Sequence, residues 1–442
     1  MNRLVFRRIL AIAAITVRSA VRSKMVVCLL ALMAAAVVGL PLTLKGDGTA
    51  EGQLRIVLNY SLGAAFGLLA LSSLWAGALS ISEEIEQKQI HLVAVKPVTC
   101  MEIWLGKWLG IMAINTVLLA AAFAATLALL PRDLLDAQSD KRGDWQLVFQ
   151  PVSPVEENLE SAAQALLEER IRSGAYPADV NQQVALRQIR QELLARSSAV
   201  APGRRKDWSF QLDRPIRAAE SVRIRFRASP SQLNLSGSEG IWIASVSGAT
   251  VWQTNVTFIP QSVQVVDVPA GVLAGARELT LSFVNRDSSN QTLIFDPADG
   301  IRVLLPAGGF YGNCARAFVM LLTRLAFLSA VGVTSGALFS VPVALFMAVA
   351  FLLSVQLAGY TAEFRSDERG VLAVLERTGE ILRVALHPLR TPPALDLVAT
   401  GMLVEGRDLL RVFGVQALAY GGLFAGLGAG ILSRRELALP SA

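Results

Sequence analysis

A charged segment between two long apolar runs carries the residues best suited to hold a partner protein. Glutamates cluster at its start and a Lys-Pro-Val turn lies towards its end; the residues concerned are Glu83, Glu84, Glu86, Gln87, Lys96, Pro97 and Val98. The carboxylates offer hydrogen-bond acceptors to basic groups, and a proline fixes the direction in which the chain leaves the segment. A solvated helix end beside a membrane has the same pattern, so spacing alone leaves docking and capping both open.

Catalytic and metal chemistry is restricted by the few residues able to perform it. The chain has two histidines and three cysteines, and the cysteines at 28, 100 and 314 lie far apart. This excludes a histidine-rich zinc site, a CxxC site and a disulfide framework in the central polar region. The phosphate-binding sequence GxxxxGK[ST] is absent as well. We therefore expect no catalytic residue, metal site or cofactor in this chain.

Weaker candidates have competing structural explanations. Arg324 interrupts an apolar run, and a charge at membrane depth marks either substrate or partner contact or a structural ion pair. Asp296 and Asp299 could ligate calcium, although their spacing also fits a turn. Aromatic residues on alternating strands are more often core than a sugar-stacking face; those concerned are Trp208, Trp242 and Trp252. A pair of glycosidase carboxylates remains open in the same region.

The elements that must position these residues are mostly apolar. Hydrophobic residues make up 53% of the 442 and charged residues only 17%, against about 25% in soluble domains. Runs of about 20 apolar residues are long enough to cross a bilayer, and they predict six spans, at about 25–44, 59–81, 105–130, 315–339, 341–360 and 412–432. Residues 1–24 form a basic amphipathic pattern that predicts a helix on the cytoplasmic face, with a signal peptide as the alternative.

The distribution of charge predicts the topology. The region from Pro131 to Asn313 has 19 basic and 20 acidic residues, whereas the rest has 22 basic and 15 acidic. Because basic residues hold loops on the cytoplasmic side, both termini and the 83–104 loop are expected inside and 131–313 outside. The nearly neutral polar region gives no indication of nucleic-acid binding.

The 131–313 insertion changes period along its length. Residues 156–196 have helical stripes, and 207–305 alternate apolar and polar side chains between turn residues. This predicts an extracytoplasmic antiparallel β-sandwich or jelly-roll-like domain preceded by helices. An external amphipathic segment at 361–410 and a cytoplasmic tail at 433–442 complete the predicted organisation.

Several short sequences resemble the ABC-2 type permeases, in particular the branch that contains the permease for nitrous-oxide reductase maturation. The resemblance covers roughly 1–130 and 314–440. The matching sequences are the basic first helix, Glu83/Glu84/Glu86, Lys96-Pro97-Val98, Leu105-Gly106-Lys107, Pro393-Ala394-Leu395-Asp396, Leu403-Val404-Glu405-Gly406 and Arg434-Arg435-Glu436-Leu437. The chain departs from the family pattern at Lys88-Gln89, at Cys100 and in the 131–313 insertion.

The resemblance implies a function and a set of partners. The chain would be the permease subunit of an exporter in the bacterial cytoplasmic membrane, paired with a second permease copy or paralogue. Separate subunits would bind ATP and magnesium and would contact the glutamates, Gln87 and the Lys96–Val98 turn. The rival interpretations are a membrane-anchored recognition or structural protein and a membrane-bound enzyme that uses carboxylates of the β region. Neither rival requires the charged 83–100 segment.

Overall fold

The computed structural model describes residues 3–22, 24–44, 56–86, 98–130, 147–155, 159–175, 182–231, 237–287, 291–296, 300–357 and 393–434. The chain divides into two compact units. We call Met1–Gln146 together with Gly309–Ala442 the helical unit, and Leu147–Gly308 the β unit. The second unit is therefore inserted into the first.

Helices account for most of the described helical unit. In chain order the described helices are α1 (Arg3–Arg22), α2 (Lys24–Thr43), α3 (Val57–Glu86), α4 (Cys100–Ala128), α5 (Leu159–Arg172), α6 (Gln182–Ser198), α7 (Phe310–Leu338), α8 (Val341–Leu357), α9 (Ala394–Ala399) and α10 (Gly406–Arg434). Both α3 and α10 contain a π-helical stretch, at Val57–Leu62 and Phe413–Tyr420. Only α5 and α6 belong to the β unit.

Five of these helices are long and apolar enough to cross a membrane: α2, α3, α4, α7 and α10. The chain thus has the helices of a polytopic membrane protein. The sixth predicted span, 341–360, coincides with α8, which is described over 17 residues as far as Leu357. The described residues therefore contain five candidate spans. A sixth span remains a prediction from the sequence.

Observed helix bounds differ from the predicted spans at polar ends. The second predicted span ended at Ile81, but α3 continues to Glu86; the last was predicted from 412, but α10 begins at Gly406. Apolar runs mark the part of a helix that fits the hydrocarbon, whereas hydrogen bonding carries the helix further into the polar boundary. Most of the predicted 361–410 segment lies outside the described residues, and its described part contains α9 and the start of α10.

Helix α7 is the central element of the helical unit. In its most apolar 18-residue window 78% of residues are buried, against 17–44% in the other four candidate spans. Glycines allow this close packing: a β-carbon on Gly332 would lie 2.7 Å from the carbonyl oxygen of Leu74, and one on Gly336 would collide with the carbonyl oxygen of Ala78. Small residues are the usual basis of helix contacts in lipid, where association depends on van der Waals contact.

A second glycine-lined crossing joins α1 to α4. Gly106 lies against the side chain of Ile12, and Gly110 against Thr16, so that an added β-carbon would meet these side chains at 2.6–2.7 Å. The buried residues of α1 are Ala13 and Thr16, on the face that meets α4. The basic first helix is therefore attached to the bundle through its apolar side.

Hydrogen bonds define two ends of the helical unit. At one end, which we call the Glu84 end, Ser82 Oγ donates to the carbonyl oxygens of Gly336 and Phe339, at 2.9 and 3.0 Å. At the other end, the Asn313 end, Asn313 Nδ2 donates to the carbonyl oxygen of Met402 at 2.8 Å. Helices α3 and α7 consequently run in the same direction and finish at the Glu84 end, where α4 begins.

The described part of the β unit contains three sheets, with antiparallel pairs of strands in each. Its strands are β1 (Leu147–Val152), β2 (Ala199–Val200), β3 (Arg205–Gln211), β4 (Val222–Phe226), β5 (Ala228–Pro230), β6 (Ser238–Val246), β7 (Ala249–Phe258), β8 (Gln264–Val268), β9 (Glu278–Asn285), β10 (Leu293–Phe295) and β11 (Ile301–Gly309). The strand orders are β1-β11-β4-β8, β2-β10-β5 and β3-β9-β6-β7.

The two four-stranded sheets share one core, which makes the region sandwich-like. Alternating residues of both sheets are buried in a single cluster, including Phe226 and Val303 of one sheet and Phe210, Trp242 and Phe283 of the other. Before most of these strands, α5 and α6 pack on each other through a smaller apolar cluster. Period-two patterning therefore produced the expected type of structure, an inserted antiparallel β-sheet region.

Candidate functional site

Charged residues concentrate at the Glu84 end, where α3 finishes. Lys107, on the second turn of α4, forms an ion pair with Glu84 Oε1, and its side chain is only 8% exposed while that of Glu84 is 27% exposed. A buried ammonium is tolerated when it is paired, because an unpaired charge loses its hydration without compensation. The pair therefore fixes the end of α3 against the start of α4.

The start of α4 is fixed by a capping box. Glu102 N donates to Thr99 Oγ1 at 3.2 Å, and Thr99 N donates to Glu102 Oε2 at 2.8 Å. Arg8 of α1 lies 3.9 Å from the other oxygen of the buried Glu102. Thr99-Cys100-Met101-Glu102 before an apolar run is the sequence signature of this feature, which the predicted 83–104 loop did not include.

The predicted contact residues are not all in a loop. Glu83, Glu84 and Glu86 lie in the last turns of α3, so the predicted 83–104 loop is shortened at both ends by helix. Glu86 Oε1 lies within 3.4 Å of the backbone nitrogen of Val341, at the start of α8. Val98 packs against the apolar cluster of this end. Gln87, Lys96 and Pro97 lie outside the described residues.

Polar side chains within the spans connect the helices. Asn115 of α4 donates from Nδ2 to Ser73 Oγ at 2.8 Å and to Ser329 Oγ at 3.3 Å, which joins α3, α4 and α7. Nearer the Glu84 end, Trp104 Nε1 donates to Thr334 Oγ1 at 3.2 Å, and Thr334 donates to a carbonyl oxygen of α10. Isolated polar residues in apolar runs were the available sequence signal for these contacts.

Arg324 lies on α7, near the middle of the most buried span. Its neighbours Thr323 and Leu325 are buried, and Arg324 itself is half-buried. The structure therefore keeps this charge within the span. Contact with a substrate or partner stays a prediction.

The tryptophans of the β unit do not form an exposed stacking face. Trp242 is fully buried and packs edge-to-face against Phe226 with ring centroids 5.2 Å apart. Trp208 and Trp252 are partly buried against the same core. The sugar-stacking interpretation is therefore wrong for Trp242, because its ring fills the space between the sheets.

Several carboxylates of the β unit are engaged in ion pairs. Arg214 Nη1 donates to Glu220 Oε2 at 2.7 Å, and this hydrogen bond holds the pKa of the Glu220 carboxyl below its ordinary value. A glycosidase acid requires a raised pKa instead. Asp296 is described but Asp299 is not, so the predicted calcium pair is untested; among the described residues, no group of three or more metal-ligating side chains occurs.

No family model, curated protein or solved structure matches the chain. The functional interpretation consequently depends on the residues themselves. The strongest arrangement is the Glu84 end, where α1, α3, α4, α7 and α8 are joined by the Lys107–Glu84 pair, Glu102, Ser82 and Glu86. Within the described residues, this end presents charged side chains on helices that are held to the bundle.

Proposed function

We propose that the chain is the permease subunit of an ABC-2 type exporter in a bacterial cytoplasmic membrane. It would pair with a second permease copy or paralogue and move a substrate with energy from a separate ATPase subunit. The observation that carries the proposal is the junction at the Glu84 end. There the short 87–99 connection is held at both sides by helices that are themselves tied to the bundle.

The mechanical reason is transmission. A partner that closes on ATP can move a membrane helix only through a contact that does not yield. Ser82 ties the end of α3 to α7, and the Lys107–Glu84 pair ties it to α4. A displacement of the 87–99 connection would therefore be passed to the central helix rather than absorbed locally. Helix α1 would move with α4 through Gly106 and Gly110.

The test is recovery of an ATPase subunit with the tagged chain from its native membrane. We expect the wild type to co-purify with magnesium-dependent ATP hydrolysis. The double reversal Glu83→Lys/Glu86→Lys should reach the membrane but lose most of this activity. Two positions are changed together because a single exposed ion pair contributes only about 0–1 kcal/mol. The matched control is Glu168→Lys/Glu169→Lys on α5, which also reverses two exposed glutamates on one helix.

Glu86 needs its own control because of its contact with the start of α8. Glu86→Gln retains an oxygen acceptor for the backbone nitrogen of Val341 and removes the charge. A normal amount of folded Glu83→Gln/Glu86→Gln with reduced ATPase recovery would support an electrostatic contact. Absence of any ATPase from the wild-type preparation would contradict the proposal.

A further inference from the structure

A cavity of about 550 Å³ opens between α1, α2, α3 and α4 in the helical unit. Its volume falls within the range of about 300–1,000 Å³ typical of small-molecule sites. Its walls include residues of all four helices, among them Thr16, Leu29, Ser72, Ala76, Ile111 and Asn115. Of the residues that line it, only Glu83 and Glu84 are also among those proposed to contact an ATPase.

The cavity is elongated along the helices. On α3 its lining extends from Ser72 to Glu84, a distance of about 18 Å at 1.5 Å per residue. One leaflet of the hydrocarbon core is about 15 Å deep, half of the full thickness. The cavity therefore has the length of one lipid chain that enters from the Glu84 end and ends near Asn115.

Its walls are less polar than their residue types indicate. The hydroxyls of Thr16, Ser72 and Ser80 each donate to a carbonyl oxygen of their own helix, at 2.7–3.0 Å. These residues consequently add carbon surface to that of the aliphatic wall, which is formed by Val26, Leu29, Leu79, Ile111 and Ile114. Such a surface favours an acyl chain over a polar solute.

The charged end of the cavity carries both signs. Glu83 and Glu84 line it together with Lys107. Lys107 is already paired with Glu84, but its ammonium has three N–H donors, so a headgroup phosphate can accept from another of them while the headgroup ammonium binds the carboxylates. A purely anionic headgroup would meet two carboxylates for one ammonium and is disfavoured.

We propose that this cavity binds one phospholipid with a zwitterionic, primary-amine headgroup. One acyl chain lies along α3 and α4, the ammonium contacts Glu83 and Glu84, and the phosphate contacts Lys107. The site goes beyond the proposed exporter function and does not require it. Lipid occupancy here would hold α1 and α2 against α3 and α4.

The test uses the full chain purified in detergent. Phosphatidylethanolamine or phosphatidylglycerol with identical acyl chains is added, and native mass spectrometry measures the lipid retained. We expect phosphatidylethanolamine to be retained about tenfold more tightly, the effect of one charge-assisted hydrogen bond. Equal or tighter retention of phosphatidylglycerol would overturn the proposal.

Variants locate the site. Ala76→Phe places a ring in the cavity and should remove the retained phosphatidylethanolamine, whereas Leu71→Phe, on an exposed position of the same helix, should keep it. Ser80→Leu is a smaller filling variant in case Ala76→Phe does not fold. Lys107→Gln should weaken retention by about tenfold. Full retention in a folded filling variant would show that the lipid binds elsewhere.

Discussion

Gly77 and Gly332 bring the backbones of α3 and α7 into direct contact. A β-carbon on Gly77 would lie 2.9 Å from the α-carbon of Gly332 and 2.8 Å from the backbone nitrogen of Val333. Backbone atoms cannot move aside as the end of a flexible side chain can. This contact therefore sets the separation of the two helices.

Substitution at this contact should destabilise the helical unit. Gly77→Ala is expected to cost about 1–3 kcal/mol, the usual cost of overpacking a core. The matched control is Gly67→Ala on the same helix, where nothing lies within 4 Å of the added carbon. Because alanine favours helix over glycine by about 0.5–1 kcal/mol, the control should be neutral or stabilising. Thermal unfolding in detergent measures the stability of both variants. Equal midpoint temperatures for Gly77→Ala and Gly67→Ala would contradict the close contact.

The capping box at Thr99 should contribute measurably to stability. Thr99→Ala removes the acceptor for the backbone nitrogen of Glu102 and is expected to cost about 0.5–2 kcal/mol. Thr99→Ser should recover most of that loss. Thr116→Ala on the same helix removes a hydroxyl that bonds only to its own helix at Met112, and it should change stability little. A loss at Thr116 as large as at Thr99 would argue against capping.

The β unit should fold without the helical unit. Residues 131–313, which contain no cysteine, are expected to give a soluble monomer with a β-type circular dichroism spectrum. Trp242→Ala should destabilise it by about 3–5 kcal/mol, because a large buried side chain is lost from the core. Val251→Ala, at an exposed position on β7, serves as the control. A helical, aggregated product would contradict this prediction.

Acid should weaken the β unit through Glu220. Its pKa is held below the ordinary value of 4.5 mainly by the hydrogen bond from Arg214, so the folded state favours the charged form. The stabilisation is therefore present above pH 4.5 and is lost as the pH falls through the folded-state pKa. Urea unfolding between pH 6 and 3 should show that Glu220→Gln removes this pH-dependent increment and that Arg214→Gln removes the larger part of it, because the backbone nitrogen of Arg217 also donates to Glu220. An unchanged increment in Arg214→Gln would contradict the main role of Arg214.

Topology can be measured with reporter fusions. Basic residues concentrate near the N-terminus, in the 83–104 region and at Arg434 and Arg435. Reporters at 90 and at the C-terminus should therefore be cytoplasmic, and a reporter at 220 should be extracytoplasmic. Activity of a cytoplasmic reporter at 220 would overturn both the orientation and the proposed function.

Sequence patterns predicted the elements better than their contacts. Apolar length revealed the membrane helices, and period-two alternation revealed the β region, because each property belongs to one local segment. The contact of Gly77 with Gly332 depends instead on which helices become neighbours, and nothing within either segment specifies its partner. Trp242 shows the same limit, since alternation in a predicted sandwich favoured a core position for it without identifying Phe226 as the ring that it contacts.

The Glu84 end combined a predictable part with an unpredictable one. Clustered glutamates marked the segment, and the spacing of Thr99 and Glu102 is the local signature of a capping box. Pairing of Glu84 with Lys107 depends on how the end of α3 packs against the start of α4, which neither segment specifies by itself. Lys107, which has no acidic neighbour along the apolar run of α4 beyond it, is therefore buried and paired with a residue of another helix.

The late position of α7 in the chain has a consequence for biosynthesis. About 180 residues separate the end of α4 from the start of α7. At roughly 5–20 residues per second, a ribosome needs about 10–35 s to produce them. Throughout that interval the first membrane helices lack the partner of Gly77, and Asn115 lacks Ser329. During this time the nascent chain lies in the bilayer without the hydrogen bond between Asn115 and Ser329. A membrane chaperone would bind the chain in this incomplete state, and a quality-control protease would degrade it.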